Sequence, residues 1–185
     1  MQKLVAYHKA GHALVGALMP EYDPVTKISI VPRGNAGGLT FFAPSEERLE
    51  SGLYSRQYLE NQMCVALGGR IAEELIFGDD DITTGASGDF QQVSRTARLM
   101  VTQLGFVKDL GQVKKLVERA YRRAKDCLQT NIEVLHQIAD VLIDKENIDG
   151  EQFQQIILAS QTTQYLKVGI LASQTTQYLK ERVSA

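Results

Sequence analysis

His8-Lys9-Ala10-Gly11-His12 is the stretch on which the reading of this chain turns. Leu4, Val5, His8, His12, Val15 and Leu18 recur at helical spacing, which predicts an apolar helix over residues 3–18. On such a helix, residues i and i+4 share one face, about one turn apart. Two imidazoles so placed can chelate one metal ion, although a His pair taken alone is as readily incidental. In the H-E-x-x-H frame the residue after the first histidine is a glutamate, the general base for a metal-activated water. Lys9 stands at that position here, and an ammonium group accepts no proton unless it is first neutralised.

Working outward, Pro20 and Asp23-Pro24 end the first helix. Lys27-Ile28-Ser29-Ile30-Val31 alternates and is β-branched, which predicts a strand. A turn with Pro32, Gly34, Asn35, Gly37 and Gly38 leads to Leu39-Thr40-Phe41-Phe42, the returning strand of a small hairpin. Ser55 is placed to cap a long helix that runs to Phe77 and closes at Gly78. Asp79-Asp80-Asp81 through Gly88 reads as a polar loop, followed by a helix over residues 89–103 and a stop at Gly105. The acidic triplet lacks the glycine and glutamate spacing of an EF-hand, so a solvated turn is expected. Val113 to Asp144 is helical with a break near Thr130-Asn131, and Asp149-Gly150-Glu151-Gln152 has the form of a capping box. The fold class expected is mainly α, with a small β-hairpin beside the metal-binding helix.

The tail holds an internal repeat. Ile157–Lys167 reads ILASQTTQYLK, and Ile170–Lys180 repeats it letter for letter. A solenoid needs several stacked, diverged units, so an exact pair points to a recent local duplication or an assembly error in the sequence. The expected layout is a domain over residues 1–158 and a C-terminal extension over 159–185, with the second copy dispensable.

The 185 residues suit one domain of ordinary size. A net charge of −2 gives no electrostatic case for nucleic acid or an anionic membrane surface. Cys64 and Cys127 offer neither a disulfide framework nor a cysteine zinc spacing, and buried free thiols in a reducing compartment are expected. No run approaches the ~18 apolar residues of a membrane span, and no signal or transit peptide precedes the first helix. His136, among Leu135, Ile138 and Ala139, reads as an ordinary helix histidine.

Further segments fall in a fixed order around the histidine pair: Tyr7 and Ala13-Leu14-Val15, then Asp23-Pro24-Val25 and Lys27 through Gly34. Gly37-Gly38-Leu39-Thr40, Gly68-Gly69-Arg70 with Ala72-Glu73-Glu74, and Thr83 through Asp89 follow. With these the chain resembles the FtsH-type family of ATP-dependent zinc metalloproteases, whose motif at residues 8–12 is H-E-A-G-H. The resemblance covers most of residues 3–111 and is looser from Val113 to Ile157. Residues 85–104 are most similar to the chloroplast and cyanobacterial branch, which implies a thylakoid or cyanobacterial membrane setting.

The resemblance implies zinc as cofactor, with Asp89 joining His8 and His12 as third ligand. Three protein ligands leave one position for water, and a carboxylate where a helix begins sits well against the helix dipole. Glu73 or Glu74 is a candidate to orient a ligating imidazole from behind, with a solvated Glu pair as the competing reading. Gly38, Leu39, Thr40 and Phe41 resemble the family's active-site edge strand, which would hold a polypeptide substrate by main-chain hydrogen bonds. A buried structural hairpin is the alternative. The resemblance also implies a homo- or hetero-oligomer in the form of a hexameric ring.

Three departures qualify the expected activity. Lys9 replaces the base, a loss worth about 10²–10⁴ in rate. Its ammonium would also be repelled by a +1 zinc site by roughly 3 kcal/mol at ~5 Å and an effective dielectric of ~20, so weakened zinc binding is expected. Second, Leu110-Gly111 runs straight into Gln112-Val113, where relatives carry a longer stretch. Third, no Walker A sequence occurs, so no ATP site is expected in this chain. The preferred expectation is a zinc metalloendopeptidase domain of protein quality control, impaired in catalysis. An inactive pseudopeptidase serving as a scaffold or assembly subunit with active relatives is the alternative, and a truncated gene product with no stable role is a third.

Overall fold

Helix α1 (Gln2–Leu18) carries the histidine pair and is almost wholly covered, with Ala6, Tyr7, Ala10, Ala13, Leu14 and Val15 among its buried residues. A helix apolar on nearly all sides must be enclosed by other elements, and α1 packs against α3 (Arg56–Phe77), α6 (Ile132–Lys145) and β1 (Val25–Ser29). The computed structural model describes residues 1–34, 37–106 and 110–168. Its other elements are β2 (Leu39–Phe42), α2 (Glu46–Ser51), α4 (Ser87–Thr102), α5 (Val113–Thr130), β3 (Asn147–Asp149) and α7 (Gly150–Val168). The fold is mainly α with a small antiparallel sheet, as expected.

The crossing of α1 over α3 is unusually close because glycines face each other there. A Cβ on Gly11 would run into the Gly68 carbonyl oxygen and lie 2.7 Å from the Ala72 Cβ, while one on Gly68 would lie 2.7 Å from the Gly11 oxygen. This approach brings both histidines of α1 within reach of α3. Helix α5 covers the other side of α3 with a stripe of Leu116, Ala120, Ala124 and Leu128, all buried and at four-residue spacing.

The sheet has the order β2-β1-β3, so β2 lies at an edge. Lys27 pairs with Phe41 and Ser29 with Leu39, while Ile28 pairs with Ile148 on the other side. Strand β1 spans 25–29 rather than the expected 27–31. Beyond Ser29 one further bond forms, from the Ile30 N–H to the Glu146 carbonyl at 2.9 Å, and Val31 is already exposed. The hairpin is thus part of a three-stranded sheet. Strand β3 escapes sequence reading because three residues are too few to show alternation, although its Ile148 is fully buried.

Helix α2 is also absent from the sequence reading, because it buries no residue and so has no apolar period. Ser45 caps it by accepting from the Arg48 N–H, and Gly52 ends it in the left-handed region at φ 63°. Arg48 then pairs with the buried Asp23, which also accepts from the Tyr58 hydroxyl at 2.6 Å. Helix α3 has the Ser55 cap and Gly78 stop expected of it. The break between α5 and α6 falls at Asn131, and Asp149 and Gln152 bond reciprocally, as a capping box should. Helix α4 opens at Ser87, two residues before the expected start, because the Thr84–Ala86 turn runs directly into it. Helix α7 continues through the first tail copy to Val168, and the second copy at 170–180 lies outside the described residues.

Candidate metal centre

His8 and His12 project from α1 toward the start of α4, where Asp89 stands in the first turn. The two Nε2 atoms lie 3.0 Å apart. Asp89 Oδ2 is 3.3 Å from the first and 3.4 Å from the second. Tetrahedral bonds of 2.0–2.1 Å require ligand atoms about 3.3 Å from one another, so this triangle has the dimensions of a zinc site.

The hydrogen bonds on the far sides of the rings fix what these atoms are. His12 Nδ1 lies 2.8 Å from the Val65 carbonyl, which can only accept, so the proton is on Nδ1. His8 Nδ1 donates to Glu73 Oε1 at 2.5 Å. In the neutral rings both Nε2 atoms therefore present lone pairs to each other and to a carboxylate. Three acceptors facing one point need a proton or a metal ion between them. The electrostatics agree. Burial would raise the Asp89 carboxyl, but His12 and His8 hold it well below the usual carboxylate range. Burial works to lower the His8 ring, yet Asp89 and Glu73 raise it on balance; at His12 burial prevails and the ring is lowered.

Glu73 is fully buried on α3. Its second oxygen accepts from the Thr83 N–H at 2.9 Å and from the Thr83 hydroxyl at 3.1 Å. Burial favours the neutral acid, but the bonds from His8 and Thr83 outweigh it and keep the carboxyl below its ordinary range. Gly69, one turn before Glu73, forms a wall against the Nε2 side of the two rings. A Cβ there would lie 2.5 Å from Nε2 of both histidines.

Lys9 is half-buried and lines a cleft of about 270 Å³ with His12, Asp89, Tyr22, Thr40 and Phe42. Burial pushes its ammonium below the usual lysine range, against the pull of Asp89 and Glu73. Its backbone carbonyl accepts from the Thr40 hydroxyl at 3.1 Å, which ties β2 to the helix of the histidine pair. Leu39 and Thr40 border the cleft, while Phe41 is 38% exposed on the edge strand and points away from the core. Gly38 packs against the Ser29 and Ile30 backbone, where a Cβ would strike it.

Other residues singled out in the sequence lie elsewhere. Glu74 turns from the histidines and binds Tyr121 and, at 2.7 Å, Lys125, so it joins α3 to α5. His136 is exposed and pairs through Nδ1 with the Tyr7 hydroxyl at 2.7 Å. Asp79–Asp81 forms an exposed turn. Burial pushes the Cys64 thiol up to about 11 and the Cys127 thiol up to about 12, and neither is bonded to the other. Among the described residues no helix is long and apolar enough to cross a membrane.

Two contributors escape a reading of the sequence by residue type. Paired glycines inside a helix are disfavoured by about 1 kcal/mol each, and that cost is the signal that could have marked Gly69. Thr83 carries no such mark; only its place in the loop before Asp89 hints at a role.

The family model described as Peptidase family M41 matches residues 1–115 and 111–156. The chain is similar to the ATP-dependent zinc metalloprotease FTSH 5, chloroplastic, of Arabidopsis thaliana, at 57% identity over 198 residues, covering 89% of this chain and 28% of that protein. With the ATP-dependent zinc metalloprotease FTSH, chloroplastic, of Capsicum annuum it shares 60% over 177 residues, covering 78% and 27%. With the ATP-dependent zinc metalloprotease FtsH 3 of Synechocystis it shares 53% over 187 residues, covering 83% and 30%. The chain thus spans less than a third of the length of these relatives.

Proposed function

The chain belongs to peptidase family M41, and from that premise we propose that it is a zinc-binding endopeptidase domain whose hydrolysis is impaired by Lys9. The single observation that carries the metal reading is the convergence of His8 Nε2, His12 Nε2 and Asp89 Oδ2. These three would hold Zn²⁺. Glu73 and the Val65 carbonyl keep both rings in the tautomer that offers Nε2 to the metal. Bound zinc would supply Lewis acidity toward a scissile carbonyl and the attacking water.

The chain's own residues supply the rest. The open edge of β2, tied to α1 through Thr40, is suited to pair with an extended polypeptide, with Leu39, Thr40 and Phe41 along that edge. Lys9 lies where a proton acceptor is needed and brings positive charge to the cleft that also holds His12 and Asp89. A charged lysine both withholds the base and opposes the cation. The two stretches matched by the family model meet at residues 111–115, and the 198 aligned positions with the Arabidopsis relative exceed the chain's 185 residues. The overlap supports a shortened connection near 111–113, ahead of α5, and the alignment length supports positions missing from this chain without placing them. Polypeptide substrates, a ring-shaped oligomer and a chloroplast or cyanobacterial membrane setting extend the same proposal.

A second reading has a specific observation in its favour. The frame of ligands, wall and tautomer-fixing partners is complete while only the base is replaced. That pattern suits a scaffold subunit assembled with active relatives, and co-purification with a full-length relative would test it. The metal reading is tested by zinc analysis of the purified chain. About one zinc per chain, lost on His12→Ala with helicity retained, is expected; a folded chain that takes up no zinc at neutral pH contradicts it.

A further inference from the structure

We propose that Thr83 is a positioning residue of the metal centre, fixing the His8 ring through Glu73. This rests on the zinc reading above for its consequence, but its geometry stands alone. Glu73 Oε1 takes the His8 Nδ1 proton, and Oε2 takes two hydrogen bonds from one residue, Thr83. A fully buried carboxylate with four lone-pair positions has its orientation set by such partners. Thr83 is the main described donor to Oε2, so it determines which way the carboxylate plane faces His8.

The location of Thr83 gives this a second effect. The Thr83 hydroxyl also accepts from the Gly85 N–H at 3.2 Å and so caps the Thr84–Ala86 turn. That turn leads directly into α4, whose first turn carries Asp89. One side chain therefore registers the loop that bears the third ligand against the carboxylate that orients the first. The chain from Asp89 back to Thr83, across to Glu73 and on to His8 closes a loop around the candidate site. Removal of the hydroxyl would loosen both ends at once, while the Thr83 N–H would still reach Glu73.

The test compares Thr83→Val, Thr83→Ser and Glu73→Gln, singly and with Thr83→Val combined with Glu73→Gln. In the metal-free chain, at a pH where the ring is neutral, ¹⁵N shifts of His8 report its tautomer. Thr83→Val is expected to mix the tautomers, Thr83→Ser to restore the Nδ1–H form, and the double variant to match Glu73→Gln alone. Zinc affinity, read by chelator competition, should fall about tenfold in Thr83→Val, at the lower end of the 10–100-fold range for partners of metal ligands. A His8 tautomer unchanged by Thr83→Val overturns the proposal, as does a Thr83→Val effect undiminished by Glu73→Gln. If no variant, nor the unsubstituted chain, binds zinc, the metal reading fails and the tautomer measurement still decides the role of Thr83.

Discussion

The Nε2 atoms of His8 and His12 face each other at 3.0 Å while the Nδ1 atoms of both rings are already engaged. Two lone pairs held in opposition, with a carboxylate oxygen as third neighbour, are costly unless a positive centre joins them. Removal of the Asp89 carboxylate should therefore weaken metal uptake more than removal of any partner behind the ligands. Asp89→Ala is expected to lower zinc affinity by more than about a hundredfold, beyond the range for such partners, with the helical circular dichroism unchanged. Chelator competition measures the first and far-ultraviolet dichroism the second.

Gly69 and Gly68 are neighbours with different duties, and alanine at each should separate them. A Cβ at 69 would lie 2.5 Å from both Nε2 atoms whether or not zinc is bound, so Gly69→Ala should abolish zinc binding by pushing the two rings off their Nδ1 partners. A Cβ at 68 would push α1 off α3 and is expected to cost at least about 1–3 kcal/mol, as overpacking does. Denaturant unfolding of the two metal-free variants, beside zinc titrations, checks both halves.

Asp23 is buried beneath Arg48 and the Tyr58 hydroxyl, and this cluster holds α2 to the body of the fold. Breaking a buried ion pair from one side typically costs 3–5 kcal/mol. Arg48 is 25% exposed and can turn to water, so Asp23→Ala is expected at the lower end, about 3 kcal/mol. Urea unfolding at neutral pH measures it.

The Glu74 clamp between α3 and α5 should show in the acid limb of stability. Burial raises the Glu74 carboxyl, but Lys125 and Tyr121 outweigh it and hold it below the ordinary range. A depressed carboxyl contributes stability that is fully present above its unfolded value and is lost as pH falls through the folded value. Between about pH 5 and pH 3 the unsubstituted chain should thus lose stability more steeply than Glu74→Gln. Thermal midpoints across that window check the difference in slope; equal slopes would remove Glu74 from the acid response.

How much of this was legible in the sequence depends on the kind of signal. Helix α1 announces itself through its apolar period and α3 through its Ser55 cap and Gly78 stop, and the His8–His12 spacing places both rings on one face. Asp89 becomes a candidate only by resemblance, because a first-turn aspartate is ordinary and its 81-residue separation from His8 carries no spacing rule. The choice between Glu73 and Glu74 needed the rotation of α3, which two adjacent glutamates cannot reveal: one faces His8, the other α5. Thr83 acts through its backbone N–H as well as its hydroxyl, and backbone donors leave no mark in residue type. Strand β3 and helix α2 are too short or too exposed for a hydrophobic period.

If Lys9 stands in the place of a missing base in an otherwise complete site, a carboxylate restored there should restore turnover. Casein hydrolysis by the zinc-loaded chain, beside zinc-loaded Lys9→Glu, tests it most directly. The unsubstituted chain should cleave at or near the rate of a chelated control, and Lys9→Glu should exceed it by about 10²–10⁴. Equal, zinc-dependent rates in the two proteins would contradict it.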